Sequence, residues 1–574
     1  MVVVSAQVSR VSGSLVELEG LSGVAMYDVV LLGEQQLPGE VVAITDRRIT
    51  VQAYEDTGGL APGAGVVSRG APLSAELGPG LLGSVFDGLL RPMSDAGTWL
   101  VPGAPRQGGN DRRWHFTPSV AEGALVSEGD ELGSVGGETS LALRILVPAG
   151  TAGVVEHIAS AGSYPADAVA ATVAGIDVRL TSVWPVRRAR PYRERLNTAE
   201  GLHTGQRVLD LLYPVARGSS AAVPGGFGNG KTMLLQQIAK WCDADVIVYV
   251  GCGERGNEMA DVVDELSALE DPRTGEPLSR RTVIIANTSN MPMMAREASI
   301  YTGVTVAEYF RDMGYHVVLI ADSTSRWAEA LREFASRTGA LPAEEGYPAS
   351  LASEMAAFYE RAGHVVTLGG RRGSVTIIGA VSPPGGDMTE PVTAHTHRFV
   401  RAVWMLDRDL AYARHYPAVA WSGSFSRDAD ALGAWHTRQG DPAWAHRRER
   451  VSALLSDADR LGALADLVGI AAMPGAERVV MLAGRLLREA VLQQSALSPN
   501  DVFCSAAKGA ALLEAVLAVI DRCDALINSG VPAATIEETD FGSLLRAAQE
   551  TGPEDFPGVQ THLEAMLTRL GTLS

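Results

Sequence analysis

The chain has 574 residues, of which 46% are hydrophobic, and this is enough material for several domains with large buried cores. Its formal net charge of -19 at pH 7 argues against broad electrostatic attraction to nucleic acid or to an anionic membrane surface, because both favour a basic partner. Its four cysteines fit neither a disulfide framework nor a CxxC metal site, so we expect a reducing compartment.

No segment of the sequence predicts export or membrane insertion. Residues 1–10 lack the basic start and the long apolar core of a signal peptide. The most apolar run, residues 509–521, contains Glu514 and Asp521 and falls short of the roughly 18 apolar residues that a transmembrane helix needs. We therefore expect any membrane association to come through partner proteins.

The first 185 residues have a β-structure pattern. Residues 1–72 consist of short segments rich in Val and Ile and predict a small antiparallel β-barrel. Residues 73–107 form a Pro- and Gly-rich connection to the core, and residues 108–185 predict a β-rich inserted domain. The spacing of the insert is similar to that of lipoyl and biotinyl carrier domains, but a carrier needs a tip lysine and residues 1–230 contain none. We interpret the insert as a structural or docking module.

The second half of the chain changes from alternating elements to helices. Within residues 186–434, four continuous apolar runs predict buried parallel strands at residues 245–251, 281–289, 316–323 and 374–382. Helical patterns between them predict a doubly wound α/β domain. Residues 435–574 carry apolar residues at helical spacing and predict a helical C-terminal domain. The fold class is therefore multidomain α+β, with a β-barrel, a β-rich insert, an α/β domain and a helical end.

Residues 225–232, GGFGNGKT, match the GxxxxGK[ST] pattern of a phosphate-binding loop and precede a helical pattern. The glycines let backbone N–H groups curl into an anion nest, and the helix directs its positive end to the same point. Only three of the 48 basic residues are lysine, namely Lys231, Lys240 and Lys508. The compact ammonium of Lys231 suits a place between β- and γ-phosphates, whereas a planar guanidinium would crowd the loop. The hydroxyl of Thr232 is placed to reach Mg²⁺.

Charged residues follow two of the predicted strands. Asp322 lies at the carboxyl end of one, where the crevice of an open α/β sheet forms, and can hold a magnesium-bound water; a helix N-cap is its structural alternative. Glu254 and Arg255 follow another strand and offer a carboxylate to orient water beside a cation for the γ-phosphate. Glu258 is an alternative for the carboxylate, and a surface ion pair is the alternative for Glu254 and Arg255.

Several segments resemble the catalytic A subunit of V-type and archaeal A-type rotary ATPases. They are GGFGNGKT, VGCGERGNEMADV, the stretch from ANTSNMPMM to RWAEALRE, PAEEGYPASLASEMAAFYERAG and GAVSPPGGDMTEPVT. The segments AMYDVVLLGE and LGPGLLGSVFDGLLRP and the helical end extend the similarity over nearly the whole chain. The insert at residues 108–185 distinguishes this kind of chain from the F-type β subunit and from the partner B subunit. The resemblance implies a RecA-like P-loop nucleotide-binding domain at residues 186–434.

The resemblance also implies roles for single residues. It makes Lys231, Glu254 and Arg255 catalytic, as the phosphate-loop lysine, the general base and the γ-phosphate arginine. Asp322 and Thr232 are the magnesium ligands, through water or a hydroxyl. The implied ATP-binding residues are Gly225, Gly226, Phe227, Gly228, Asn229, Gly230, Lys231, Thr232, Tyr416 and Leu497, with Tyr416 as the aromatic that packs on adenine.

Two positions depart from the family pattern. Asn229 stands where relatives usually carry Ser or Cys, and we expect the change to be tolerated because the backbone makes this part of the loop. Leu497 stands where relatives commonly place a second aromatic against adenine. Aromatic packing contributes about 0.5–1.5 kcal/mol beyond area, so we expect weaker but not abolished nucleotide binding.

The family further implies an assembly and cofactors. It implies that Mg²⁺ is bound together with ATP or ADP. It also implies that A subunits alternate with B subunits in an A3B3 ring, which central and peripheral stalk proteins join to a membrane sector that transports H⁺ or Na⁺. It places the chain in the cytoplasm, peripheral on the membrane, without nucleic acid. An arginine finger from the B subunit, generally worth about 10³–10⁵ in rate, implies that the isolated chain hydrolyses ATP poorly.

Two other functional classes are weaker interpretations. A regulatory nucleotide-binding subunit of the B kind predicts loss of the loop lysine or the glutamate, and both Lys231 and Glu254 are present. A hexameric nucleic-acid motor needs a basic channel, which the net charge of -19 disfavours.

Overall fold

The computed structural model describes residues 6–45, 48–93, 112–136, 141–271 and 273–573. Parts of the predicted connection and insert, residues 94–111 and 137–140, lie outside the described residues. The chain forms two compact units. The first contains residues 1–197, 244–381 and 389–399, and the second contains residues 198–243, 382–388 and 400–574.

The first unit begins with a closed barrel, which confirms the predicted N-terminal fold. Its six antiparallel strands are arranged in the order β1-β2-β5-β4-β3-β6. Alternate residues such as Val16, Leu18 and Val51 fill its core, because successive strand side chains point to opposite faces. The strands are β1 (Ala6–Ser12), β2 (Leu15–Glu19), β3 (Asp28–Leu32), β4 (Leu37–Ile44), β5 (Ile49–Ala53) and β6 (Gly65–Pro72).

The β-rich insert consists of two four-stranded antiparallel sheets. The strands of this region are β7 (Ser74–Leu77), β8 (Val85–Phe86), β9 (Arg113–Pro118), β10 (Leu125–Val126), β11 (Glu131–Gly136), β12 (Leu143–Leu146), β13 (Gly153–Ile158), β14 (Gly162–Pro165), β15 (Val169–Val173), β16 (Ile176–Arg179) and β17 (Ser182–Pro185). One sheet has the order β10-β13-β15-β16 and the other β12-β11-β9-β14, while β7 pairs with β17. This confirms the predicted β-rich insert.

The start of the second unit carries the phosphate loop. Along the chain, β18 (Glu194–Arg195) is followed by β19 (Gly201–Leu202), α1 (Arg207–Leu212), β20 (Val215–Ala216), β21 (Ser220–Pro224) and α2 (Lys231–Trp241). All five residues of β21 are buried, as is typical of a strand inside an α/β sheet. The loop between β21 and α2 is therefore held at both ends by regular structure.

The α/β part of the first unit contains the four predicted parallel strands. Its elements are β22 (Val246–Glu254), α3 (Gly256–Ala268), β23 (Thr282–Thr288), α4 (Met293–Asp312), β24 (His316–Asp322), α5 (Thr324–Thr338), α6 (Leu351–Tyr359), β25 (Gly363–Val366), β26 (Arg372–Val381) and α7 (Pro391–Phe399). The order is β26-β24-β22-β23-β8, all parallel. Apolar side chains cover both faces of β22, which explains its continuous hydrophobic run.

Helix α4 packs closely against this sheet. A Cβ atom added at Gly303 would lie 2.4 Å from Cγ2 of Val250 in β22, so only glycine allows this approach. Nearly every residue of α4 is buried, from Met294 to Arg311. The helix therefore anchors the strand ends that carry the charged residues of interest.

The second unit continues into the helical end. Its later elements are β27 (Ala402–Val403), α8 (Arg408–Tyr412), β28 (Phe425–Ser426), α9 (Ala429–Arg438), α10 (Trp444–Val468), α11 (Gly475–Leu487), α12 (Ala506–Asn528), α13 (Ala533–Glu537), α14 (Gly542–Glu550) and α15 (Phe556–Gly571), with a π-helical turn at Arg488–Leu492. Strand β21 is parallel to β27, which is antiparallel to β28. The helical C-terminal region is confirmed. In the described part of the chain, no helix has the length and apolarity to cross a bilayer.

A buried ion cluster joins the barrel to the α/β part of the first unit. The guanidinium of Arg187 donates to both carboxylate oxygens of Glu297 in α4, each at 2.8 Å. It also pairs with Glu40 in β4 at 3.2 Å. Both carboxylates are almost fully buried. The arginine therefore compensates two charges that would otherwise be costly to desolvate.

We expect Arg187→Met to lower the free energy of unfolding by about 3–5 kcal/mol, because it leaves two buried carboxylates unpaired. Urea unfolding followed by circular dichroism measures this loss. The matched control is Arg10→Met, since Arg10 is two-thirds exposed and lies 3.6 Å from Glu17. An exposed pair of this kind is worth less than about 1 kcal/mol. Equal losses in the two variants would contradict the assigned role of Arg187.

Candidate functional site

The phosphate loop, residues 225–232, has a backbone that its glycines alone make possible. Gly228 and Gly230 have φ values of 82° and 84°, in the left-handed region that favours glycine. Gly225 is restricted differently, because an added Cβ atom there would lie 2.9 Å from Cβ of Leu406. Gly230 is the residue before α2, so the loop leads directly into the N-terminus of that helix. The first backbone N–H groups of a helix and the positive end of its dipole make such a position favourable for phosphate.

The ammonium of Lys231 lies against its own loop. Its Nζ donates to the carbonyl oxygens of Gly225 at 2.6 Å and Gly226 at 2.8 Å. These two neutral acceptors hold the side chain folded back along the loop. Phosphate oxygens carry charge and are stronger acceptors, so a bound triphosphate can replace the carbonyls as partners.

The two side chains in the middle of the loop have different surroundings. Asn229 is buried, and its Nδ2 donates to the carbonyl of Leu406 at 3.3 Å. Phe227 is 88% exposed. The amide of Asn229 thus ties the loop to the segment after β27, a tie that the sequence did not predict.

A cavity of about 750 Å³ adjoins the phosphate loop in the second unit. Its volume is in the range of small-molecule sites. Tyr416 lines it, and the ring approaches the loop so closely that a Cβ added at Gly230 would lie 3.4 Å from Cε1 of the tyrosine. Leu497 also lines the cavity but is 96% exposed. Other apolar lining residues are Met233, Leu234, Leu406, Pro417, Ala418 and Leu545, and Gln237, Arg414 and Glu489 are among the polar ones. The cavity therefore offers both apolar and polar contacts to a small molecule.

The first unit brings Asp322 and Glu254 to one edge of its sheet. Strands β22 and β24 are parallel neighbours, with Gly251 paired to Asp322, and Glu254 ends β22. Asp322 is 2% exposed and accepts a hydrogen bond from the hydroxyl of Tyr249 at 3.2 Å. A buried carboxylate held in this way is a hard oxygen donor of the kind that Mg²⁺ prefers. No described cluster of three or more His, Cys, Asp or Glu side chains forms a metal site by itself.

The carboxyl of Glu254 is strongly perturbed. Burial, the negative charge of Asp322 and a hydrogen bond with Glu258 raise the pKa of Glu254 to about 8, and Arg326 opposes the rise. A carboxyl with a pKa near neutrality is well matched to proton transfer at neutral pH. Both Glu254 and Glu258 belong to this group, and Glu258 stays an alternative for the base.

Arg255 lies at the start of α3, next to Glu258. Its side chain is 64% exposed, and its Nε lies 4.0 Å from Oε1 of Glu258, one turn along α3. The arginine is thus accessible to a ligand at the start of the helix.

Sequence reasoning missed two further arginines beside Glu254. A Cβ added at Gly253 would lie 2.9 Å from Cβ of Arg326 and 3.2 Å from Cδ of Arg296. Arg326 is only four residues after Asp322, and this short spacing is the sequence signal that could have placed it near the site. Arg296 is in the first turn of α4 and is distant from Glu254 in sequence. Only the packing of that helix shows that Arg296 lies beside Gly253.

The predicted site residues thus fall into two groups. The second unit brings together residues 225–232, Tyr416 and Leu497, and the first unit brings together Glu254, Arg255 and Asp322.

Comparisons with protein families cover most of the chain. The nucleotide-binding domain of the ATP synthase alpha/beta family matches residues 205–426. The beta-barrel domain of that family matches residues 8–70, and the barrel-sandwich domain of ATP synthase alpha/beta subunits matches residues 109–187. The C-terminal domain of V and A type ATP synthase matches residues 433–534.

Similar whole proteins agree with these families. The chain is 49% identical over 570 residues to the V-type ATP synthase alpha chain of Anaeromyxobacter dehalogenans, with 98% of each chain covered. It is 46% identical to the A subunit of the A-type ATP synthase of Methanopyrus kandleri, over 94% of this chain and 93% of that one. The assembled ATPase EscN of the enteropathogenic E. coli type III secretion system has the same fold, with a TM-score of 0.63, 21% identity and coverage of 90% and 100%. The chain belongs to the family of catalytic A, or alpha, subunits of V-type and A-type ATP synthases.

Proposed function

We propose that this chain hydrolyses or synthesises ATP with Mg²⁺, and that its nucleotide site uses the residues described above. The observation that carries the proposal is the glycine loop with Lys231 at the start of α2, next to a cavity lined by Tyr416. The loop supplies amide donors and an ammonium to a triphosphate, and the cavity supplies apolar contact to a base. Phosphoryl transfer depends mainly on such positioning and charge compensation.

The proposed roles follow from the chemistry of each group. The loop amides and Lys231 bind the phosphates. Glu254 accepts the proton of the attacking water, since burial and nearby carboxylates place its pKa at about 8. Arg255 is exposed at the start of α3 and compensates the charge of the γ-phosphate.

Magnesium fits the donor set of this chain. The hydroxyl of Thr232 and the buried carboxylate of Asp322 are hard oxygen ligands, and Tyr249 fixes the carboxylate by a hydrogen bond. A bound magnesium ion supplies charge compensation for the phosphates. Thr232 would hold the ion through its hydroxyl, and Asp322 would hold it through a bound water.

The assembly proposal rests on the family. The relatives at 49% and 46% identity are named as the alpha chain and the A subunit of ATP synthases. We propose that three such chains alternate with three B subunits, that central and peripheral stalks join the ring to a membrane sector for H⁺ or Na⁺, and that the ring lies on the cytoplasmic face. A neighbouring B subunit then supplies an arginine to the transition state, so the isolated chain is a slow ATPase.

The first test separates binding from turnover. Lys231→Ala is expected to lose both Mg·ATP binding and hydrolysis, because the phosphates lose their ammonium partner. Glu254→Gln is expected to keep binding but to lower kcat by about 10²–10⁴-fold, since the general base is removed. Binding is measured by calorimetry and turnover with the assembled ring.

The control for Glu254→Gln is Asp261→Asn, which removes a carboxylate from an exposed position on the same helix, α3. It is expected to leave kcat unchanged. A ring with Glu254→Gln that turns over ATP at the rate of Asp261→Asn would remove Glu254 from its role, and a loss in Glu258→Gln instead would assign the base to Glu258.

The second test concerns magnesium. Asp322→Asn is expected to raise the Mg²⁺ concentration for half-maximal ATPase activity by about 10–100-fold, because it removes the carboxylate that holds a magnesium-bound water. Tyr249→Phe removes only the hydrogen bond to Asp322 and is expected to give a smaller increase. Magnesium titrations of the assembled ring measure both. If Asp322→Asn leaves the Mg²⁺ concentration for half-maximal activity unchanged, Asp322 does not help to hold magnesium.

The third test concerns the binding of adenine, the base of the nucleotide. Leu497→Phe is expected to tighten ATP binding by up to about tenfold, because an aromatic ring at this exposed wall of the cavity can pack on adenine. Calorimetry with Mg·ATP measures the change. Leu467→Phe is the matched control, since Leu467 is 84% exposed near the end of α10 and does not line the cavity. Equal effects would show that added hydrophobicity alone is responsible.

A further inference from the structure

We propose that two buried cations, Arg207 and Lys508, are positioning residues for the cavity next to the phosphate loop. This cavity is the one that we assign to the nucleotide base. Neither side chain lines the cavity. Both bind main-chain carbonyls of the segments that do. The inference rests on the proposed function, because it assigns the cavity to the nucleotide base.

Arg207 binds residues 491–501, a segment that forms part of the cavity wall. The side chain is 1% exposed, and its Nε donates to the carbonyl of Val491 at 2.7 Å. Its other nitrogens bond to the carbonyl of Gln493 and to a carboxylate oxygen of Asp501. The second carboxylate oxygen of Asp501 accepts the backbone N–H of Ser495 at 2.7 Å. One guanidinium therefore determines the course of residues 491–501.

Gln494 connects this segment to Tyr416, which also lines the cavity. Its side-chain oxygen accepts the backbone N–H of Arg207 at 2.9 Å, and its side-chain nitrogen donates to Gly205 at 2.9 Å. Its own backbone N–H donates to the carbonyl of Tyr416 at 2.8 Å. Arg207 is thus linked through one residue to the main chain of Tyr416, a residue that lines the cavity.

Lys508 fixes a second wall. It is fully buried, and its Nζ donates to three carbonyls, those of Asn500, Ala548 and Thr551, at 2.8–2.9 Å. Ala548 lines the cavity and belongs to the last turn of α14, where carbonyls are unpaired and the helix dipole favours a cation. An ammonium has three donors, one for each carbonyl, whereas the planar fork of arginine does not match this arrangement.

These contacts connect residues that are distant in sequence but share one cavity. Arg207 is in α1, Tyr416 follows α8, and Lys508 is in the first turn of α12. The two cations contact main-chain oxygens in two of the segments around the cavity, residues 491–501 and the end of α14. Loss of either cation is therefore expected to loosen the base contacts and to leave the phosphate contacts of residues 225–232 intact.

The experiment compares a ligand that has a base with one that has none. Mg·ATP and inorganic tripolyphosphate with Mg²⁺ are titrated by calorimetry into the full chain and into its Arg207→Met and Lys508→Met variants. We expect the Kd of ATP to rise by about tenfold, the upper range of an aromatic packing contribution. The Kd of tripolyphosphate is expected to stay within about twofold, because it uses only the phosphate loop.

Leu455→Ala controls for general loss of stability, since Leu455 is buried in α10 and does not line the cavity. It is expected to leave the ratio of the two Kd values unchanged. Should Arg207→Met or Lys508→Met not fold, Arg207→Lys and Lys508→Arg keep the charge but not the geometry of the donors. The same rise in the ratio is expected from each.

Unchanged ratios in the variants that fold, or equal weakening of both ligands, overturn the positioning role. Failure of the wild-type chain to bind ATP contradicts the proposed function itself, and failure to bind ATP more tightly than tripolyphosphate contradicts the assignment of the cavity to the base. Wild-type preference for ATP together with unchanged variants contradicts only the roles of Arg207 and Lys508.

Discussion

A polyanion can be bound by a main chain only where the chain turns its amides inward, and the glycine backbone of residues 225–232 permits such a turn. Two glycines there have φ values above 80°, and the loop leads into the first turn of α2. Lys231 adds a single compact cation, which lies on the carbonyls of Gly225 and Gly226. Charge-assisted bonds to phosphate are stronger than these neutral contacts. We propose that the remaining parts of the site serve the ligand that this loop binds.

The proposed roles fall in both compact units. To the second unit, with the phosphate loop and the adjoining cavity, we assign binding of the nucleotide. The first unit carries Glu254 and Asp322 at the carboxyl ends of two neighbouring strands, where burial and nearby carboxylates raise the pKa of Glu254 to about 8. We therefore propose that the group that changes protonation lies on a sheet covered by α4, and that the groups that recognise the ligand lie on loops held by buried hydrogen bonds.

Local sequence patterns predicted the fold well because the signals were strong. Continuous apolar runs marked the four parallel strands, and the loop motif marked the start of α2, which begins at Lys231. The carboxylate of Asp322 followed from its place at the end of a strand. Lysine was informative because arginine replaces it almost everywhere else in this chain.

Other features could not be predicted because they depend on contacts between distant segments. The bond from Asn229 to Leu406 joins residues 177 positions apart, and Arg207 is separated from Asp501 by 294 positions. No periodicity marks such pairs. The exposure of Leu497 depends on the course of its loop. These are the points at which packing decided the geometry of the site.

The most direct measurement is a structure of the assembled protein with a non-hydrolysable ATP analogue and Mg²⁺. The account predicts a β-phosphate within hydrogen-bond distance of the loop amides, with Nζ of Lys231 on phosphate oxygens and no longer on Gly225 and Gly226. An analogue bound elsewhere, with the ammonium still on those two carbonyls, would contradict the central claim.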